Sequence, residues 1–246
     1  PAIRSGLLIG DQILKINNIE LKGKKAYEIS NLLKSQINSQ ITLAVKRMDR
    51  PEVFEISLVT EKIVIKNVSY AGLIDGNIGY IKLTDFTTNA GEEVGEALRE
   101  LVRQGASKLI LDLRGNPGGL LVEAINVANI FIPKGAEIVS TKGKLEEWTK
   151  VYSTKNQAIN VKIPLVVLTD QRSASASEIV AGVIQDYDRG VLVGRKTYGK
   201  GLVQQTRPLA YNAQLKVTTA KYYIPSGRCI QAIDYSAEST SKIADS

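Results

Sequence analysis

Ser175 and Lys200 are the residues on which chemistry can be built. Ser175 is the middle serine of Ser173-Ala174-Ser175-Ala176-Ser177-Glu178-Ile179, and Lys200 lies between glycines in Tyr198-Gly199-Lys200-Gly201. The chain contains no histidine, so a Ser-His-Asp triad has no imidazole to take the hydroxyl proton at neutral pH. A lysine can replace it where a dry, apolar pocket disfavours the ammonium form, because the neutral amine then accepts the serine proton. The pair therefore reads as the machinery of a Ser-Lys peptidase. Ser175 with Glu178 also fits a capping box, in which the serine caps a helix, the glutamate reaches back, and no catalysis is implied. The same geometry suits a nucleophile, since a serine at a strand-to-helix turn is exposed beside amide N–H groups and the positive helix end. A lone strand lysine is usually a solvated charge, and only its pairing with Ser175 argues otherwise. In an extended strand Lys200, Leu202 and Gln204 share one face, where Lys200 and Gln204 can converge. The flanking glycines permit close approach of another backbone.

Two stretches must supply the elements that position these groups. The first has the pattern strand, helix, strand, strand: Asp11 to Asn17 alternates as a strand, Lys25 to Lys34 is an amphipathic helix, and Gln40 to Arg47 and Val53 to Val59 alternate again. From about Glu61 the pattern becomes a larger mixed α/β unit. Strand Gly79 to Leu83 leads through Thr87-Thr88-Asn89 into a helix near Glu92 to Arg103 that Gly105 ends. Lys108 to Leu113 is a buried-strand run, Gly115-Asn116-Pro117-Gly118-Gly119 a tight turn, and Leu120 to Phe131 a helix stopped before Pro133. Strand Pro164 to Thr169, a helix near Ser177 to Tyr187 and strand Val191 to Val193 repeat the theme, so strands alternating with helices imply parallel pairing. Further strands follow Gly201 and run from Ala213 to Tyr223, and the polar tail from Ser236 to Ser246 is expected to fray.

Composition narrows the function classes. With 43% apolar and 23% charged residues the chain is an ordinary globular one. No run approaches the roughly 18 to 20 apolar residues a spanning helix needs, and Pro1-Ala2-Ile3-Arg4 is not a signal peptide. The net charge of +7 is scattered and only 6% of residues are aromatic, which speaks for solvated basic faces and against a nucleic-acid partner. Cys229 is alone, so there is no disulfide framework, and without histidine no metal and no cofactor is expected. Two motifs are decoys. Gly194-Arg195-Lys196-Thr197-Tyr198-Gly199-Lys200 matches a phosphate loop, but Gly201 replaces the magnesium-binding hydroxyl and a strand, not a helix, is expected next. Ser239-Thr240-Ser241-Lys242 has the Ser-x-x-Lys spacing of penicillin-binding enzymes but sits in the polar tail.

Gly6-Leu7-Leu8-Ile9-Gly10-Asp11-Gln12-Ile13-Leu14-Lys15-Ile16-Asn17-Asn18 resembles the central signature of a PDZ domain, which would cover residues 1–60 and lack its N-terminal part. The rest of the chain resembles the C-terminal processing peptidases, or tail-specific proteases. The likeness rests on the Ser173 to Ile179 block, a Gly-Lys-Gly lysine 25 positions after Ser175, a glutamine four after the lysine, Asp112-Leu113-Arg114-Gly115-Asn116-Pro117-Gly118-Gly119 before a helix, and Tyr222-Tyr223-Ile224-Pro225-Ser226-Gly227-Arg228. It implies an α/β fold, a crotonase/Clp-like β-β-α protease core over residues 61–246 behind the incomplete PDZ domain. It makes Ser175 the nucleophile, Lys200 its base and Gln204 the residue orienting Lys200, with Ala176 and either Gly118 or Gly119 giving the oxyanion amides. It further implies cleavage of proteins or peptides near unstructured, apolar, exposed C-termini, in an extracytoplasmic, periplasmic setting close to a membrane. Two other readings stay open: a catalytically silent peptide- or ligand-binding protein on the same fold, and an acyl-CoA enzyme of the crotonase type.

Overall fold

In the computed structural model, which describes residues 1–62, 66–211 and 213–233, the chain divides into two units, Pro1–Ile65 and Lys66–Ser246. The first unit begins with a 3-10 turn, Ile3–Ser5, and contains strands β1 (Gln12–Ile16), β2 (Ile19–Glu20), β3 (Gln40–Lys46) and β4 (Phe54–Val59) with helix α1 (Ala26–Leu33). Its antiparallel sheet has the order β2-β1-β3-β4. The short β2 is an addition to the expected pattern. It forms because Asn17 and Asn18 both adopt positive φ, 45° and 67°, the two-residue turn that matches strand twist and that asparagine tolerates. The inward residues of the alternating strands, Ile16, Ile41, Leu43, Val45 and Ile56, make the core, and Ile29 and Leu32 of α1 pack on it. Asp11 and Arg47 brace the preceding loop: Arg47 bonds both carboxylate oxygens and the Gly6 carbonyl, while Asp11 also accepts the Leu8 N–H.

The second unit contains β5 (Val68–Ile74), β6 (Ile78–Leu83), α2 (Ala90–Arg103), β7 (Lys108–Asp112), α3 (Leu121–Asn129), β8 (Glu137–Gly143), β9 (Lys150–Ser153), β10 (Leu165–Thr169), α4 (Ala176–Asp186), β11 (Val191–Gly194), β12 (Leu202–Pro208) and β13 (Gln214–Tyr223). A five-stranded sheet has the order β11-β10-β7-β6-β5, and its β11, β10, β7 and β6 are parallel, as the strand-helix alternation requires. A second, antiparallel sheet has the order β12-β13-β8-β9. Sequence periodicity did not reveal β5, β8 or β9. β8 and β9 read Glu-Ile-Val-Ser-Thr-Lys-Gly and Lys-Val-Tyr-Ser, where polar residues occupy buried positions such as Ser140 and Thr141.

α2 buries Ala90, Val94, Leu98 and Leu101 along one stripe, carries Glu92 and Glu93 in its first turn, and ends at Gly105 with φ 104°. α4 is different. Every residue from Ala176 to Ile184 is buried, as suits a helix apolar on all sides and packed in the centre of the unit. It shares one apolar core with Ile81, Leu83, Phe86, Leu111, Val127 and Val167. The parallel strands β6, β7 and β10 end on the same side of the sheet, so the loops after them, 84–89, 113–120 and 170–175, gather there. The polar tail and Ser239-Thr240-Ser241-Lys242 lie outside the described residues.

Candidate active site

Ser175 stands where β10 turns into α4. Its backbone has φ 54° and ψ −111°, a conformation a non-glycine residue holds only when its surroundings impose it. The surroundings are specific. The two outer serines of the run are fully buried and donate their hydroxyls to the neighbouring loop, Ser173 Oγ to the Leu113 carbonyl at 2.8 Å and Ser177 Oγ to the Asn116 carbonyl at 3.0 Å. Ala174 N–H bonds the same Asn116 carbonyl. The middle serine is left half-buried at the mouth of the turn.

The glycine-rich loop packs directly against this turn. A Cβ added to Gly118, whose φ is 94°, would lie 2.8 Å from the Ala176 nitrogen and 2.8 Å from Ser175 Cβ, so only glycine brings the backbone this close. The amides are not equivalent. Gly118 N–H is donated to Asn116 Oδ1 at 2.8 Å. Phe86 N–H bonds the Gly118 carbonyl and the Phe86 carbonyl accepts the Leu120 N–H, a bridge that turns the Gly119 N–H away from Phe86. Among the described residues Gly119 N–H has no hydrogen-bond partner. Of the two glycines left open by the resemblance, Gly119 is thus the one whose amide is not already spent within the loop.

Lys200 reaches the site through its backbone. Glu178, buried in the first turn of α4, accepts Ser175 N–H (2.8 Å) and Lys200 N–H (2.8 Å) on Oε2 and Gly199 N–H (2.6 Å) on Oε1. One carboxylate thus holds the serine turn and the lysine segment together. Tyr198 N–H adds a bond to the Ser173 carbonyl. On the other side the chain from Ile230 to Ala232 runs against the glycines. A Cβ on Gly199 would be 2.2 Å from Ala232 Cβ, one on Gly201 2.3 Å from the Gln231 nitrogen, and Gln231 Oε1 accepts Gly201 N–H. The close approach inferred from Gly-Lys-Gly is therefore real. β12, not a helix, follows, as the phosphate-loop comparison anticipated.

Two features of this structure differ from the expected arrangement. The dry pocket around Lys200 is not formed: the residue is exposed, and no hydrogen bond joins its amine to Ser175 Oγ. The buried glycines draw the backbone inward but carry no side chains to cover the lysine. Gln204 does not orient Lys200 here. The β12–β13 register slips between Val203 and Gln204, and Gln204 Nε2 bonds Thr218 Oγ1 on β13 at 3.3 Å.

A charged cluster stiffens the loop from below. Asp112 is fully buried and accepts Arg114 N–H, Nε and Nη2, Lys82 Nζ and the Tyr80 hydroxyl. Burial alone would raise its carboxyl, but the bonds from Arg114, Tyr80 and Lys82 hold it well below the usual carboxylate range. Burial, followed by the bond to Asp112, pushes the Tyr80 hydroxyl up. Asp170 accepts Gly115, Arg172 and Ser173 N–H on one oxygen, and these amides outweigh burial to lower its carboxyl. Beyond Gly119, a groove of about 610 Å³ runs between α3 and β9, lined by Leu121, Val122, Ile125, Val151 and Tyr152, with Lys155 among its polar residues. β9 is a sheet edge with a free side.

Residues 77–238 match peptidase family S41, and residues 1–47 match the PDZ domain. The chain belongs to peptidase family S41. The S41 chain is 38% identical over 237 residues to a protein of Bartonella bacilliformis named carboxy-terminal-processing protease, covering 95% of this chain and 54% of that one. It is 36% identical over 233 residues to a probable CtpA-like serine protease of Staphylococcus aureus, covering 94% and 46%. Among solved structures, the photosystem II D1 C-terminal processing protease superposes with a TM-score of 0.59 at 32% identity, over 95% of this chain and 63% of that one. The S41 chain spans about half the length of the curated relatives it matches.

Glu178, Asn116, Ser173 and Ser177 hold the turn around Ser175, and the motifs did not single them out for that part. Glu178 was visible only as the local partner of Ser175, because its other two bonds come from 21 and 22 positions further on. The alternation Ser-x-Ser-x-Ser was the available signal for the flanking hydroxyls, since alternate positions around a turn face one loop.

Proposed function

We propose that this chain carries the working core of a serine endopeptidase that cleaves proteins near unstructured, apolar C-terminal tails, with residues 1–60 as its PDZ domain and 61–246 as its peptidase core. The observation that carries the reading is Ser175 at φ 54° in a turn packed against Gly118, with Glu178 tying that turn to Lys200. Ser175 Oγ forms the bond to the scissile carbonyl carbon while its proton passes to neutral Lys200 Nζ. The oxyanion is met by Ala176 and Gly119 N–H, each such donor lowering the barrier by about 3 to 4 kcal/mol. Lys200 then gives the proton to the leaving amine as the C–N bond breaks; neutral Lys200 Nζ next takes a proton from water, which attacks the ester carbonyl, and returns it to Ser175 Oγ as the acyl–oxygen bond breaks. On this reading bound substrate covers the exposed Lys200 and strips its water, and Gln204 exchanges its bond to Thr218 for one to Lys200. The names of the relatives support the substrate class; an extracytoplasmic, periplasmic site of action is part of the same proposal and follows from the family resemblance.

Substrate lies extended, adding a strand to a free sheet edge with side chains in the groove beside α3. The exposed Lys200 favours one competing reading, a silent peptide-binding protein. The two separate in cleavage of an unfolded reporter with an apolar tail by wild type, Ser175→Ala and Lys200→Ala between pH 6 and 10. Loss in both variants establishes the pair. Binding without cleavage by wild type selects the silent protein, and activity surviving Lys200→Ala removes the lysine from the mechanism.

A further inference from the structure

Asn116 is fully buried, and its polar groups are all engaged. Its N–H bonds the Leu113 carbonyl (3.1 Å), Nδ2 donates to the Leu83 carbonyl (3.0 Å), Oδ1 accepts Gly118 N–H (2.8 Å), and its carbonyl accepts Ala174 N–H (3.0 Å) and Ser177 Oγ–H (3.0 Å). The side chain fits in one orientation alone. Turned over, Nδ2 would face the Gly118 N–H and Oδ1 the Leu83 carbonyl, donor against donor and acceptor against acceptor.

The consequence lies two residues on. Pro117 has no N–H to offer, and Gly118 and Gly119 have positive φ, so the peptides of this loop depend on their neighbours for orientation: Phe86 N–H holds the Gly118 carbonyl, and the peptide before it is left to Asn116. Asn116 Oδ1 fixes the Gly118 amide by the short side-chain-to-backbone turn typical of asparagine. That bond takes Gly118 N–H away from any substrate, while the Asn116 carbonyl holds the residues on either side of Ser175. We propose that Asn116 is the positioning residue of the oxyanion hole: it selects Gly119 over Gly118 as donor and sets that donor's position against Ala176. The inference rests on the peptidase reading above.

Asn116→Asp keeps the shape and the acceptor for Gly118 N–H but sets a carboxylate oxygen against the Leu83 carbonyl. Protonation restores the missing donor. In reporter cleavage, Asn116→Asp is expected to lower kcat about 100-fold at pH 8 with KM little changed, the size of losing one oxyanion donor. The ratio of its kcat to that of wild type should climb as pH falls to 5, because burial and a facing carbonyl favour the protonated acid. Asn116→Ala should lose as much and recover nothing. Affinity for a peptide boronic acid, whose tetrahedral adduct on Ser175 uses the hole, should fall with kcat, whereas uncleaved peptide should bind the Ser175→Ala and Ser175→Ala/Asn116→Asp proteins alike. Ser177→Ala, which removes only the hydroxyl on the Asn116 carbonyl, should lower kcat about 10-fold at constant KM, the worth of one hydrogen bond. Asn116→Asp with wild-type kcat at pH 8, or a loss shared by kcat, peptide binding and melting temperature without acid recovery, overturns the inference. If Asn116→Asp does not fold, unchanged kcat in Ser177→Ala overturns it. Wild type that neither cleaves nor takes the boronic acid defeats the peptidase reading itself, and this inference with it.

Discussion

At Glu178 one buried carboxylate accepts three amide hydrogens from two segments that meet only in the folded chain. A glutamine there keeps one acceptor and turns an NH2 group toward N–H donors. Glu178→Gln should lower stability by about 2 to 3 kcal/mol, the scale of charge-assisted hydrogen bonds lost in a buried place. It should also slow labelling of Ser175 by a fluorophosphonate more than the stability loss explains. Chemical denaturation beside labelling rates checks both. Asp112 gives a second test, in pH. Its folded carboxyl lies below the unfolded value of about 4, so the stabilisation is fully present above that pH and fades as pH falls below it. Asp112→Asn, which leaves Lys82 and Arg114 without their counter-charge, should cost about 2 to 4 kcal/mol at pH 7. The difference from wild type should shrink in denaturation curves taken from pH 4 downward.

At the scale of elements, the site is a junction of strand ends. β6, β7 and β10 deliver three loops to one side of the sheet, α4 starts beside Ser175, and α3 follows the glycine-rich loop. The turn Tyr222 to Arg228 clasps the far end of α4, with Arg228 on Gln185 and Asp186 and Ser226 N–H on Asp186, then feeds the chain that backs Gly199 and Gly201. The same layout predicts where substrate selectivity resides. Val122, more than half exposed on the groove side of α3, is well placed to meet an apolar substrate side chain. Val122→Glu should raise KM for an apolar-tailed reporter about tenfold, roughly 1.4 kcal/mol of lost apolar contact, and leave kcat nearly unchanged. Steady-state kinetics decide it, and a fall in kcat at constant KM would remove the groove from substrate binding.

Over the whole molecule, the two units differ in the means of holding themselves together. The first has a five-residue buried apolar core and leans on the Asp11–Arg47 pair, whose guanidinium, with the Leu8 amide, holds the Asp11 carboxyl at about 2. It should unfold before the second unit on heating. Asp11→Asn should lower the first transition alone at pH 7, and wild type should show the same selective loss as pH falls from 4 toward 2, both readable by calorimetry. Much of this organisation was legible in the chain itself. Periodicity gave the strand-helix alternation and the parallel pairing, because burial of one face repeats at fixed local intervals. Residue types gave Ser175 and Lys200, because a chain without histidine leaves few bases for a serine. The glycines at 118, 119, 199 and 201 marked close approaches. Only the tertiary structure decided that Gly118 N–H is spent on Asn116 while Gly119 N–H is open, that Glu178 serves the serine and the lysine segments together, and that Lys200 stands exposed with Gln204 turned to Thr218. Those facts depend on which amide faces which acceptor across loops dozens of residues apart, a matter of strand register and peptide orientation that local spacing does not encode.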